Sequence, residues 1–500
     1  MRALLMAMPD IAPRLFSRRL YMPSLALVSL AGNCPGHEVW AADLNSRRPR
    51  IKAAVLDLVR RYRPQVVGLS AMSFQFDTAW HVARLLKELD GSVRTVLGGY
   101  HATLLAEDLA RSDAGAVFDC FVRGEGERVF PALLDALQQR RGLPEVQGLS
   151  WRDERGRWRH NPRSAILDLA EVRLPDRSRR VYTHFGFRGY GLEVVETSRG
   201  CFMRCKFCSM HHMYGHTFRT YPIERVIADL EDVRARGGRM VLFADDNITL
   251  DAARLAALCE AIRKAGLDRI RYLVQASSLG LARNPDLAPA MARAGVDMVF
   301  LGIENVSRPN LRAMGKGDIV EDTRRAVRLL HDAEIIVVGG MIVGLEHDTA
   351  EDVAANFGFF RELRIDWLGD QILQPYPKTA LREEWLQKGL VTNPDDYRRY
   401  DGYWANVRTR HLTSDELQFH RWRAKTRYEF LQRPKALTLK KHPVIARLQN
   451  YLLYPAAYLA HRARGAFVSE YEHYRRDMEA DARLNAFAGL SDGPMPIAYG

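Results

Sequence analysis

Residues 198–214 read SRGCFMRCKFCSMHHMY and place Cys201, Cys205 and Cys208 in a CxxxCxxC spacing. Iron–sulfur clusters are held by cysteine thiolates, and three thiolates on one tight loop suffice for three irons of a four-iron cluster, leaving the fourth iron open. An open coordination position separates a working metal site from a closed structural one. The competing assignment is a Cys3His zinc site completed by His211 or His212, because zinc accepts both ligand types. Structural zinc motifs usually pair two short hooks across a longer gap, and this stretch has one hook. Its setting differs too: an apolar strand, 192–197 (LEVVET), precedes it and repeated strand and helix patterns follow.

At 500 residues and 47% hydrophobic content, the chain can bury the cores of about two to four domains. Its first residues, MRALLMAMPDIAP, are apolar but interrupted by Pro9 and Asp10, too short and wrongly flanked for a signal peptide. The most apolar window, 335–345 (IIVVGGMIVGL), falls well short of the ~20 residues of a spanning helix and reads as a strand buried on both faces. Six cysteines, three clustered and Cys34, Cys120 and Cys259 scattered, do not form a disulfide framework, which points to the reducing cytoplasm. A formal charge of +13 admits nucleic acid, an anionic membrane surface or anionic substrates as partners. The arginines are dispersed without a long basic block, so a solvated basic surface is the expectation.

Upstream of the cysteines, 3–8, 37–44, 66–70, 95–98 and 120–122 read as strands and 24–31 and 51–62 as helices, the second ended by Pro64. Such alternation implies a doubly wound parallel sheet with its ligand at the carboxyl ends of the strands. Three loops fall there: 70–77 (SAMSFQFD), 98–103 (GGYHAT) and 123–127 (RGEGE). Their glycines let backbone approach a bulky ligand closely.

Residues 142–190 read as a connector that crosses between domains, with a hairpin at 149–159 (LSWRDERGRWR) around Glu154, Arg155 and Gly156. After the cysteine loop, Pro222 is expected at the first helical position, opening a helix whose apolar face is Ile223, Val226, Ile227, Leu230 and Val233. Strands at 240–244, 272–276, 298–303, 335–345 and 368–373, counted with 192–197, give six βα units. These form a partial (β/α)6 barrel with its reactive face at the carboxyl ends. Asp245, Gln275 and Ser277 line that mouth, and Gln374 and Tyr376 are placed to close it.

The spacing of Cys201, Cys205 and Cys208, with Phe207 before the third, resembles the radical SAM superfamily. The resemblance implies that S-adenosylmethionine (SAM) chelates the open iron through its amino and carboxylate groups. An electron from the cluster then cleaves the sulfonium, and a 5′-deoxyadenosyl radical takes hydrogen from a substrate. It implies further SAM contacts at Phe207 near the adenine, at Glu304 in a GIE motif, and at Gly340 and Ile342 in GMIVG, whose closing glutamate is displaced to Glu346. For Glu304 the structural alternative is a helix-capping or salt-bridged carboxylate; Asp245, Gln275 and Ser277 are expected to contact SAM or substrate, against the polar residues that any barrel places at its rim.

GGYHAT followed by RGEGE ahead of the cysteines resembles the cobalamin-binding domain that precedes many radical SAM enzymes. It implies cobalamin contacts at Ser70, Met72, Gly98, Gly99, His101, Gly124 and Glu125; a flavodoxin-like domain with a different pocket is the alternative. Where some cobalamin domains carry DxHxxG, residues 43–48 read DLNSRR. The missing histidine implies base-off cobalamin without a histidine ligand, with Met72 a candidate for its lower face.

The expected organisation is α/β: a Rossmann-like cobalamin-binding domain at 1–141, the connector at 142–190, a radical SAM core at 191–387 and a helical region at 388–500. Within the last, 448–467 reads as a core-packing helix pair or a lid, with a membrane-surface helix as alternative, and 490–500 as disordered. The expected activity is C-methylation of an unactivated carbon in a hydrophobic small molecule or lipid, with a low-potential donor of the flavodoxin or ferredoxin type. Alternatives are a non-methylating oxidation or cyclisation of the anaerobic porphyrin-ester cyclase type and a non-catalytic cobalamin sensor. Nucleic acid is not expected, because the C-terminal region is helical and aromatic rather than a compact basic β-module.

Overall fold

The computed structural model describes residues 1–9, 20–431 apart from 141, 184 and 188, and 469–485, together with positions 452, 456, 459, 460 and 463. The expectations for 490–500 and for nearly all of 448–467 lie outside the described residues. Chain order begins β1 (Arg2–Ala7), β2 (Leu20–Tyr21), β3 (Glu38–Asp43), β4 (Val66–Ser70), β5 (Arg94–Gly98), β6 (Cys120–Val122), β7 (Leu149–Arg152) and β8 (Trp158–His160). All but β2 form one sheet in the order β3-β1-β4-β5-β6-β7-β8, parallel from β3 to β6.

Side chains alternate across each strand. Leu4 and Met6 of β1 therefore enter one core while Ala3 and Leu5 enter the other, and helices cover both faces. The strand order reverses between β1 and β4, the topological switch point where such sheets open a ligand crevice. The hairpin expected within the connector forms as β7 and β8 and extends this sheet antiparallel to β6. Trp158 stacks on Phe121 at 4.3 Å, covering apolar area at what would otherwise be an open edge.

The chain continues with β9 (Gly186–Phe187), β10 (Tyr190–Val195), β11 (Ser198–Arg199), β12 (Arg219–Thr220), β13 (Met240–Phe243), β14 (Arg271–Ser277), β15 (Val296–Glu304), β16 (Ile336–Val343) and β17 (Trp367–Ile372). The second sheet runs β17-β16-β15-β14-β13-β10-β9-β2. Its six strands from β10 to β17 are parallel, as the sequence pattern requires. The short β2, from the N-terminal part of the chain, closes the edge through β9, a pairing that two residues of sequence do not announce.

Helices pack on the outer face around one large core. The inner face is lined by strand residues and Phe187: Leu192, Met240, Leu273, Met298, Ile336, Val338 and Trp367. Phe300 lies over a glycine floor, since a Cβ on Gly340 or Gly369 would come within 2.8 Å of its ring. This inner face is therefore apolar, with Leu273, Phe300 and Trp367 only partly buried on it. Pro222 sits one residue outside its expected place, with extended ψ of 137° before the helix Ile223–Ala235.

Beyond residue 388 the chain packs on both sheets. Tyr397 and Tyr400 enter a core of the N-terminal sheet. On the helix Ser414–Leu431, Arg421 is fully buried and pairs with Asp370 of β17 at 2.8 Å. Among the described residues no helix is long and apolar enough to cross a membrane.

Candidate active site at the facing rims of the two sheets

The antiparallel ladder of β11 and β12 closes a loop that contains all three cysteines. Gly200 opens it at φ +84°, where a Cβ would stand 2.3 Å from the Thr217 carbonyl oxygen, so only glycine fits. The Gly200 amide donates to the Asp246 carboxylate at 2.9 Å, and the Cys208 amide donates to the Cys205 carbonyl at 3.1 Å. Burial pushes all three thiols up, Cys208 to about 11.

A metal-binding cysteine must lose its proton, so these buried thiols need the positive charge of a bound centre to ionise. Soft thiolates select iron–sulfur clusters among other soft centres. Among the described residues no three His, Cys, Asp or Glu side chains converge on one ion; thiolates that each bind a different iron need no such point. The donor set fits a four-iron cluster held by Cys201, Cys205 and Cys208.

Around this loop, Glu304 ends β15 after a register shift, with φ +63° in a region that non-glycine residues rarely adopt. Its carboxylate lies 2.8 Å from the Lys316 ammonium. Despite burial, Glu304 and the nearby Cys205 and Cys201 hold Lys316 charged, its pKa raised. Lys316 has no place in the sequence-based assignment; its signal was the MGKG turn ten residues after the GIE motif.

Phe207 packs half-buried on the barrel core. Gly340 lies under the Phe300 ring, Ile342 is buried in the barrel core, and Gln275 stands half-buried on β14. Two rim residues have protein partners. Asp245 is fully buried and accepts from the Thr197 amide at 3.1 Å, the Thr197 hydroxyl at 2.6 Å and the Ser198 hydroxyl, so it clamps the end of β10. Ser277 caps a helix through the Gly280 amide at 3.1 Å and bonds the Thr249 hydroxyl at 3.0 Å. The more open carboxylate is Asp246, which burial pushes up to about 6. Gln374 donates to the Trp404 carbonyl at 2.9 Å, and Tyr376 packs against the N-terminal core.

On the N-terminal sheet the three loops meet. A Cβ on Gly99 (φ +92°) would lie 2.7 Å from the Ala71 carbonyl oxygen. The Ala71 amide donates to Gly98 at 3.1 Å, and the Gly124 amide donates to the Thr103 hydroxyl at 3.0 Å, which in turn donates to Gly99 at 2.8 Å. Ser70, Gly98, Gly99 and Gly124 therefore share one rim, and Met72 stands 41% exposed there.

His101 lies beneath, fully buried, 4.2 Å from the Phe76 ring and 5.2 Å from Tyr397. Burial depresses its pKa to about 3 and keeps it neutral. Both of its ring nitrogens lack a hydrogen-bond partner, as do the Asp77 carboxylate oxygens, Trp80 Nε1, Asn45 Oδ1 and Ser46 Oγ. Buried polar atoms are normally paired. This row of orphans along the carboxyl ends of β3, β4 and β5 fits an amide-rich cofactor such as cobalamin.

Glu125 turns the other way. Its carboxylate accepts from Arg199 at 3.0 Å, from Arg219 at 3.1 Å and from the Leu167 amide at 3.0 Å. Arg199 also reaches Glu127 at 2.6 Å and Glu196 at 2.8 Å, and burial lifts Glu196 to about 7 against the pull of Arg199. The second glutamate of RGEGE and the arginine before the first cysteine thus belong to an interdomain network that no local motif identified. Tyr100 of the GGYHAT loop meets Tyr214 at 6.5 Å, and the Thr103 hydroxyl approaches Met213 Sδ at 3.8 Å. The two carboxyl rims face one another.

A doubly wound sheet with such a rim, set against a half-barrel with a three-cysteine loop, defines a two-cofactor radical enzyme. The Radical SAM superfamily model matches residues 195–359, and that of the B12 binding domain matches 13–134. The chain is 31% identical over 385 residues to the uncharacterized methyltransferase PH0819 of Pyrococcus horikoshii, covering 77% of this chain and 82% of that protein. It is 27% identical to the hopanoid C-3 methylase of Methylococcus capsulatus over 78% of this chain and 73% of the methylase. With the anaerobic magnesium-protoporphyrin IX monomethyl ester cyclase of Rubrivivax gelatinosus it shares 25% identity over 69% of this chain and 62% of the cyclase. The cobalamin-dependent SAM radical enzyme OxsB, solved with aqua-cobalamin bound, has the same fold, with a TM-score of 0.67, 17% identity and coverage of 98% of this chain and 77% of OxsB. The chain belongs to the cobalamin-binding radical SAM enzymes.

Proposed function

We propose that this enzyme C-methylates an unactivated carbon of a hydrophobic small molecule or lipid. The observation that carries the reading is the direct apposition of the cysteine-loop helix His211–Tyr214 and the GGYHAT loop, through Tyr214 on Tyr100 and Met213 on Thr103. When bound, the cluster with SAM supplies a hydrogen-abstracting radical and cobalamin supplies a transferable methyl group; such cofactors carry the hard chemistry while the protein positions them. Cys201, Cys205 and Cys208 hold the cluster. Glu304 and Lys316 offer SAM a carboxylate and an ammonium side by side, while Phe207, Gln275, Gly340 and Ile342 line its pocket. Ser70, Met72, Gly98, Gly99, His101 and Gly124 bound the cobalamin site, base-off and without a histidine ligand. The apolar inner face around Phe300 favours an apolar substrate, a reading also supported by the hopanoid methylase among the relatives.

A low-potential flavodoxin- or ferredoxin-type donor and a cytoplasmic location complete the reading, and nucleic acid has no part in it. A non-methylating cyclisation is the second reading, favoured by the 25% identity to the porphyrin-ester cyclase. The test is anaerobic reconstitution of the cluster, addition of cobalamin and a strong reductant, and quantification of SAM products, with Cys205→Ala as control. Formation of both 5′-deoxyadenosine and S-adenosylhomocysteine, only the first being lost in the variant, supports the methylase. 5′-Deoxyadenosine alone moves the cyclase reading ahead, and neither product returns the sensor reading.

A further inference from the structure

The β11–β12 ladder places Arg199 directly opposite Arg219. Like charges in that relation repel, and neither arginine is solvated: their side chains are 7% and 17% exposed. The compensating charge comes largely from another domain. Glu125 accepts from both arginines, Glu127 from Arg199, and Ser29 donates to Glu127 at 2.9 Å. The connector joins the same knot, because the Leu167 amide donates to Glu125 at 3.0 Å and the Leu167 carbonyl accepts from Arg219 at 2.7 Å.

Arg199 and Arg219 are the two ends of the loop that holds Cys201, Cys205 and Cys208. One side chain of the N-terminal domain, Glu125, therefore grips both ends of the cysteine loop. It follows Gly124, whose amide is tied through Thr103 to Gly99 on the facing rim. Buried arginine–carboxylate forks fix geometry as well as energy, and removing one partner leaves an uncompensated buried charge.

We propose that Glu125, seconded by Glu127, is a positioning residue that sets the separation and orientation of the two cofactors by clasping Arg199 and Arg219. The chemistry requires a carbon radical made at one cofactor to meet a group delivered by the other, and misplacement by about 1 Å can cost on the order of a hundredfold in rate. The inference rests on the methylase reading of the two cofactors, not on the identity of the substrate.

The test uses the full-length enzyme loaded with cluster and cobalamin, in the parent and in Glu125→Gln, Glu125→Asp and Arg219→Lys. Asp229→Asn serves as control, breaking the buried Arg177–Asp229 pair away from the cysteine loop. Iron, sulfide and cobalamin contents are measured first. Electron paramagnetic resonance then reads the magnetic interaction between reduced cluster and cob(II)alamin, which depends on their separation, and product analysis reads the ratio of S-adenosylhomocysteine to 5′-deoxyadenosine.

In Glu125→Gln the interaction is expected to change and the ratio to move at least about tenfold at parental cofactor content. Glu125→Asp and Arg219→Lys should give smaller shifts in the same direction, and Asp229→Asn should lower the melting temperature without moving either readout. Parental interaction and ratio in the Glu125 and Arg219 variants overturn the proposal, as does an equal change in Asp229→Asn. A parent enzyme lacking either magnetic signal breaks the two-cofactor reading instead; a parent with both signals and unchanged variants breaks only this inference.

Discussion

The two facing rims are finished to different degrees. On the barrel side, Asp245, Ser277 and Glu304 each have protein partners. On the opposite rim, Asn45, Ser46, Asp77, Trp80 and His101 bury polar atoms with no hydrogen-bond partner. Each such atom costs about 1–3 kcal/mol relative to a satisfied one. The barrel is thus pre-organised for a co-substrate that comes and goes, whereas the N-terminal domain is incomplete until something fills its rim. The difference predicts that cobalamin stabilises the fold more than SAM does.

Thermal unfolding with cobalamin or SAM added separately puts this contrast at greatest risk. Cobalamin at a thousandfold excess over its dissociation constant should stabilise the chain by about 4 kcal/mol, and equal shifts from SAM in cluster-free protein would erase the distinction. The next effect concerns pH. Burial raises Asp77 from 3.8 to about 6, so ionising it opposes folding; its stabilising contribution is complete below the unfolded value and is lost as pH rises through about 6. The cobalamin-free chain should lose stability across this window as Asp77, which faces His81 at 3.9 Å, ionises. Asp77→Asn should flatten this part of the stability–pH curve in denaturant titrations.

On the barrel side, Glu304→Gln leaves Lys316 without its carboxylate. The kcat/KM for 5′-deoxyadenosine formation should fall on the order of a hundredfold, with the melting temperature of the cobalamin-loaded protein changed far less. The smallest effect distinguishes the rims most directly. His101→Phe removes two orphaned nitrogens from a ring sandwich, so the cobalamin-free chain should gain about 1 kcal/mol while retaining less cobalamin on gel filtration. A loss of stability in that variant would show that His101 is satisfied in solution.

Much of this architecture is legible because it is local. Period-two and helical patterns gave strands such as 66–70 and the helix 51–62 at their observed bounds, since apolar side chains on one backbone must face one core. The hairpin at 149–160 was legible as a hairpin, but its docking beside β6 depends on Trp158 reaching Phe121 across 37 residues. At the barrel mouth the sequence places Asp245 and Asp246 together, yet only the fold turns the first inward onto Thr197 and Ser198 and leaves the second on the rim.

By itself, then, the sequence determined the three-cysteine loop, the two α/β units and their order, because spacing and periodicity are properties of neighbours along the chain. The tertiary structure alone decided the partners of charge. Glu125 stands in a glycine-rich loop that reads as a cofactor cradle, and only its approach to Arg199 and Arg219, 74 and 94 residues away, turns it into a clasp. A buried carboxylate takes whichever cation the fold brings within about 3 Å, and sequence separation carries no information about that choice.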